Sequence, residues 1–246
     1  MIEIKAKEKY DYEDFLEVIR DLRRPDGCPW DREQTHKSLR TGLTEESCEL
    51  LHAINLYDKT GNADNMREEL GDLLLQVVMH ATIAEEEGLF TMEDVVDEVC
   101  KKMIRRHPHV FGDVLAENTD AVLSNWEEIK KKEKEHASWT VSPLRDIPEE
   151  LPALTRATKV YKKAAKVYDR RQNPEELVRK VAEESEAYEQ GELSGEEYVR
   201  GLLTAAATLS GTWKLEPEML LSDEIGQVID ELEPEGANGT KNDTEK

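Results

Sequence analysis

The sequence predicts an all-α protein, and three observations carry that prediction. Apolar residues recur at three- and four-residue intervals along most of the chain, and no stretch shows the sustained alternation of a half-buried strand. Glycine and proline fall at the ends of these periodic segments, where they stop helices. Charged residues make up 36% of the 246 positions and hydrophobic residues 38%, the composition of a helix-rich protein with a modest core.

Phe15, Leu16, Ile19 and Leu22 form the inward face of a first short helix, ended by the turn-forming run from Arg23 to Gly27. The segment Cys28-Pro29-Trp30-Asp31 reads as a compact loop. Thr44 reads as the N-cap of a helix reaching about Lys59, with Ser47, Leu50, Leu51 and Ile54 inward. Gly61 and Asn62 close it. A longer helix then runs from about Asp64 to Glu87; from Leu73 to Ala84 it is apolar on nearly every side, as the central helix of a bundle is. Gly88 ends that helix. Thr91 to Arg106 gives another, stopped at His107-Pro108, and Asp120 to about Glu135 a further one with Val122, Leu123, Trp126 and Ile129 inward.

Prolines at 143, 148 and 152 mark a linker over 138–152, which separates a first unit, 1–137, from a second, 153–233. Residues 234–246 lack periodicity and read as a disordered tail. The second unit echoes the first: Leu43-Thr-Glu-Glu-Ser-Cys-Glu49 returns as Val181-Ala-Glu-Glu-Ser-Glu-Ala187. Helices around Leu202, Leu203 and Leu209, and from Met219 to Leu232, follow. The expected architecture is two tandem helical units on one plan.

The formal net charge of −22 excludes general binding to nucleic acid, which requires basic surface, but leaves room for a nucleotide in a local basic pocket. Three cysteines without a C-x-x-C pair point to a reducing cytoplasm. The N-terminus has no signal-like apolar region, and no run is long enough for a membrane span. No P-loop and no G-x-G-x-x-G occurs, which argues against kinase and dinucleotide chemistry.

The most informative residues are acidic. Glu46 with Glu49, and Glu69 with Asp72, are spaced to project from one side of each of two consecutive helices. Like charges at that spacing repel, and Asp72 borders the apolar run Leu73 to Val78, where an unpaired carboxylate is costly. An antiparallel packing brings all four to one cleft, and a divalent cation of the magnesium or manganese type supplies the missing partner. Solvated helix faces are the competing reading. Lys102, Arg105 and Arg106 share a face at the end of a later helix, as a phosphate clamp does, although cations there also complement the helix dipole. Lys130, four residues after Trp126, is either a further phosphate contact or part of a solvated lysine face. Trp30 either stacks a base or pins its loop. His80, on the apolar helix, reads as a satisfied core histidine.

Together these motifs resemble the MazG-type nucleoside triphosphate pyrophosphohydrolases. The resemblance rests on the run from Leu22 to Leu39, on Glu45-Glu46-x-x-Glu49, on Glu69-x-x-Asp72, on Arg105 to Phe111 and on Asn125-Trp126-Glu127, and it covers the first unit. It implies an all-α bundle that dimerises and a magnesium-dependent cleavage of NTP or dNTP between the α- and β-phosphates. By the match, Glu46, Glu49, Glu69 and Asp72 are the metal ligands, and Lys102, Arg105, Arg106 and Lys130 the triphosphate contacts. Glu45, beside a ligand, is the candidate to orient or deprotonate water; its competing role is a helix-start acid favoured by the dipole. A dCTP- or dUTP-type pyrophosphatase, a phosphoribosyl-ATP pyrophosphohydrolase and a non-catalytic acidic interaction module are the alternatives.

The second unit departs from the pattern. Ala187 stands where Glu49 does, alignment around Leu202-Leu203 sets Tyr198 opposite Glu69 and Gly201 opposite Asp72, and Gln227, Asp230 and Glu231 fall where the cations lie. Catalysis is therefore expected in the first unit, with packing, dimerisation or regulation left to the second.

Overall fold

The computed structural model describes residues 7–114, 118–135 and 142–233, and among these it contains helices and no strand. The tail from 234 and residues 138–141 of the expected linker lie outside the described residues. The chain divides into two compact units, residues 1–131 and 132–246.

The first unit begins with α1 (Tyr12–Arg23), started by a capping box in which Asp11 accepts from the Asp14 backbone and Asp14 accepts from the Asp11 backbone. Its exit is tight. Cys28 N–H reaches back to the Leu22 carbonyl at 2.8 Å, and a side chain at Gly27 would collide with the carbonyls of Asp21 and Leu22, so only glycine fits. The segment expected to be a loop is instead a short helix, α2 (Pro29–Glu33): Pro29 occupies the first helical position, where a missing N–H costs nothing.

The next helix, α3 (Arg40–Thr60), starts four residues before Thr44. Thr44 is not its cap; its hydroxyl donates back to the Arg40 carbonyl at 3.0 Å, an interior role for threonine. Gly61, left-handed at φ 71°, closes α3, and after two intervening residues α4 (Asp64–Glu86) returns against it. Val78, Met79, Ala81 and Ile83 of α4 form the core with Leu16 and Ile19 of α1, Leu39, and Met92 of α5 (Met92–Arg106). A short α6 (Pro108–Phe111) and α7 (Thr119–Glu135) follow. The stripe expected to be inward on α3 is only partly so: Ala53 is buried, but Leu51 and Ile54 are 49% and 42% exposed. Leu123 of α7 is exposed as well.

The second unit contains α8 (Ala153–Val167), α9 (Pro174–Glu189), α10 (Gly195–Trp213) and α11 (Pro217–Leu232). Helix α8 precedes the echoed acidic motif and packs closely on α10, where the Thr158 hydroxyl donates to the Ala207 carbonyl at 3.2 Å. Ile147, inside the segment expected to be linker, is buried in this unit. Ala205, Ala207, Thr208 and Ser210 of α10 are buried with it, beside Thr158 of α8 and Leu177 of α9.

Candidate metal and nucleotide site

The tight α3–α4 hairpin places the acidic motifs side by side. One carboxylate oxygen from each of Glu46, Glu49 and Glu69 lies within 4.8 Å of the others. Asp72, half-buried one turn beyond Glu69, completes the group electrostatically. The Glu46 carboxyl is pushed above the usual carboxylate range, first by partial burial, then by the charge of Asp72, and then by Glu49 and Glu69. Four acids on two helices thus act on one another. Asn65, four residues before Glu69 on α4, donates its amide to Glu69 Oε1 at 2.8 Å and fixes that carboxylate. Sequence reasoning missed Asn65; its i, i+4 spacing from Glu69 was the available signal. Glu45 is exposed beside Glu46 and stands outside the close trio.

The basic residues form a second cluster. The Arg106 guanidinium lies 5.2 Å from the Trp126 ring centroid and the Lys130 ammonium 4.6 Å from it, so α5 and α7 meet through cation–π contacts. Lys102 and Arg105 stand on the same helix as Arg106, Arg105 exposed and Lys102 half-buried. Trp30, on α2, is 67% exposed.

His80 is bonded only in part. Its Nδ1 lies 2.8 Å from His36 Nδ1 with the rings stacked 3° from parallel, while its Nε2 is buried and finds no hydrogen-bond partner among the described residues.

Residues 34–111 match the family model described as the MazG nucleotide pyrophosphohydrolase domain. The nucleoside triphosphate pyrophosphohydrolase/pyrophosphatase MazG of Thermotoga maritima is 41% identical over 214 residues, covering 85% of this chain and 79% of that protein. The chain belongs to the MazG family. The nucleoside triphosphate pyrophosphohydrolase of Escherichia coli is 46% identical over 154 residues, 62% of this chain and 57% of that protein. The uncharacterized protein YabN of Bacillus subtilis is 49% identical over 153 residues, 62% of this chain and 30% of that protein. The family match covers both arms of the acidic hairpin and the cations of α5; Trp30 and Lys130 lie outside it.

The second hairpin of this MazG chain is filled differently. Tyr198 bonds Ser185 at 2.9 Å through its hydroxyl and stacks on Tyr188 at 5.0 Å, and Glu184 pairs with Lys180 at 3.5 Å. The C-terminal halves of α4 and α10 share landmarks in the same order and spacing. Thr82 bonds the Val78 carbonyl as Thr208 bonds that of Thr204, and left-handed Gly88 matches left-handed Lys214. In that register Tyr198 takes the place of Asp72, and Gly195 that of Glu69, one helical turn from the sequence alignment. Neither register puts a carboxylate at those two places. No helix among the described residues is long and apolar enough to cross a membrane.

Proposed function

We propose that this chain is a magnesium-dependent, cytoplasmic nucleoside triphosphate pyrophosphohydrolase, converting NTP or dNTP to the monophosphate and pyrophosphate in control or cleaning of the nucleotide pool. The reaction belongs to the first unit. The observation that carries this reading is the convergence of Glu46, Glu49 and Glu69 within 4.8 Å, under the charge of Asp72, in a MazG family member.

The donor set fits the ion. Hard divalent cations take carboxylate oxygens, and the trio offers three of them within 4.8 Å of one another. Manganese suits the same hard donors. Bound there, the ion supplies charge neutralisation for phosphate oxygens and lowers the pKa of water. Glu46, Glu49, Glu69 and Asp72 are the ligands, and Asn65 keeps Glu69 aimed. Glu45 orients the attacking water and takes its proton. The water oxygen forms a bond to the α-phosphorus; the bond from that phosphorus to the bridging oxygen breaks, and its electron pair leaves on pyrophosphate. Lys102, Arg105, Arg106 and Lys130 hold the phosphate oxygens and offset that charge. Trp30 offers its exposed face to the base. The molecule works as a homodimer, a reading supported by apolar stripes left exposed on α3, α4 and α5.

Product analysis on a panel of nucleoside triphosphates with Mg²⁺ is the direct test. Monophosphate and pyrophosphate in equal amounts are expected, and the panel gives the base preference. Diphosphate and phosphate, or no turnover with any nucleotide, would sink the proposal.

A further inference from the structure

Each unit has a cleft between its first long helix and its central one, and the two clefts differ in electrostatic character. In the first unit the cleft of about 450 Å³ is lined by Arg20 and Arg23 of α1, by Arg24 and Pro25 just beyond it, and by Thr82, Glu85 and Glu86 of α4. Its cations are matched by acids. Arg23 forks onto Glu86 at 2.8 and 2.7 Å, and Arg20 reaches Glu85 at 3.3 Å. All three arginines of this cleft are engaged in ion pairs.

The central helix of the second unit supplies no acid to the matching places. At the spacing of Thr82, Glu85 and Glu86, helix α10 carries Thr208, Gly211 and Thr212. Facing them are Lys162 and Lys166 of α8, then Arg170 and Arg171 from the turn that follows. No Asp or Glu is among the described residues lining this cleft, and its volume is about 920 Å³. In a chain of net charge −22, four cations around one cleft run against the composition. Lys166 alone is explained by the dipole at the end of α8. Arg170 and Arg171 lie beyond that helix and are brought back by a turn at Asp169, a non-glycine residue at φ 51°. That conformation costs about 1–2 kcal/mol; it lets the N–H groups of Tyr168 and Arg170 share the Ala164 carbonyl at 2.9 and 3.4 Å. The acid nearest in sequence, Asp169, meets Arg171 only at 3.8 Å with both side chains exposed, a pair of little strength.

We propose that this cleft is a second anion site, which binds the polyphosphate group of a nucleotide-sized ligand independently of the metal site in the first unit. The cations supply charge-assisted donors for several phosphate oxygens. Tyr161 and Tyr168, also in the lining, give aromatic surface for an attached base. The volume is that of a small-molecule pocket, and the acidic remainder of the chain repels an extended polyanion.

The test is calorimetric titration of the full chain in EDTA with three probes: ATP, pyrophosphate and a single-stranded dodecanucleotide. One ATP per chain is expected to bind, with equal affinity in a Glu46→Gln/Glu69→Gln chain. Lys162→Ala and Arg170→Ala should each weaken it by about tenfold or more, the loss of a hydrogen bond to a charged group. Both side chains are exposed, and a thermal melt verifies that the variants fold. Pyrophosphate binding as tightly as ATP assigns recognition to the phosphates, and tighter ATP adds the tyrosines; each supports the site. No binding without metal, binding indifferent to both substitutions, or tighter binding of the oligonucleotide overturns it. Since no metal is present and the first-unit acids are neutralised, the result is independent of whether the chain hydrolyses nucleotides.

Discussion

Glu69 is the acid whose surroundings are best defined, because Asn65 holds one of its oxygens while Glu46 and Glu49 close on the other side of the hairpin. Neutralising it with Glu69→Gln, or its neighbour with Asp72→Asn, should lower kcat by about 100-fold or more, since metal-borne charge stabilisation is worth several kcal/mol. The same variants should melt no lower than wild type in metal-free buffer, because each removes repulsion from a cluster of like charges. A melting point that drops sharply would mark these acids as structural. Asn65→Ala should keep the fold and weaken the apparent Mg²⁺ affinity by about 10-fold, the usual cost of losing a group that orients a ligand. Titrating turnover against Mg²⁺ reads this as a shifted midpoint rather than a lowered plateau. The four acids were legible in the sequence because helical spacing alone puts each pair on one face. Asn65 was not, because an amide beside a carboxylate is an ordinary surface pair until its partner acquires a role.

At the scale of elements, the sequence located helix ends well where capping chemistry is explicit. Thr91 starts α5 through a capping box with Asp94, and Gly88 and Gly61 end α4 and α3 in left-handed turns, as glycine does. By contrast α3 begins after Leu39, which offers no side-chain cap, so Thr44 drew the boundary inward. One contact between elements carries a pH dependence. The His80 imidazole is held below its ordinary pKa of 6.5, first by burial and then by His36, whose Nδ1 lies 2.8 Å from its own. The groups facing this pair also include Glu87, 3.9 Å from His36 Nε2. Because the folded His80 binds its proton less well than the unfolded one, stability should be full above about pH 6.5 and fall as the pH drops below it. Thermal melts between pH 8 and 5 should show that loss, and His80→Gln should flatten it. A wild-type profile that stays level across this window would contradict the assignment.

Across the whole molecule, the sequence told two helical units apart because the acidic motif recurs, but it gave no account of which apolar stripes have partners. Periodicity reports that a helix has an apolar face; whether another helix of the same chain covers that face depends on how many helices compete for one core. Leu51 and Ile54 on α3, Leu70, Leu74 and Val77 on α4, and Val96, Val99 and Met103 on α5 all remain exposed, each set at helical spacing. Solvation of so much apolar surface is unfavourable, at about 25 cal/mol for each Å² that a partner could cover. A symmetric second copy presents the same stripes and can bury them against their own counterparts. Light scattering on the intact chain should therefore give twice the 28.2 kDa monomer mass. Val99→Glu together with Met103→Glu should shift it to the monomer, since an acid on each copy would meet its mate across the interface. These two positions share α5 with Lys102, Arg105 and Arg106, so the monomer should also lose turnover, while the tight α3–α4 hairpin leaves its metal affinity little changed. A chain that is monomeric and fully active before any substitution would refute the dimer and require another cover for these stripes.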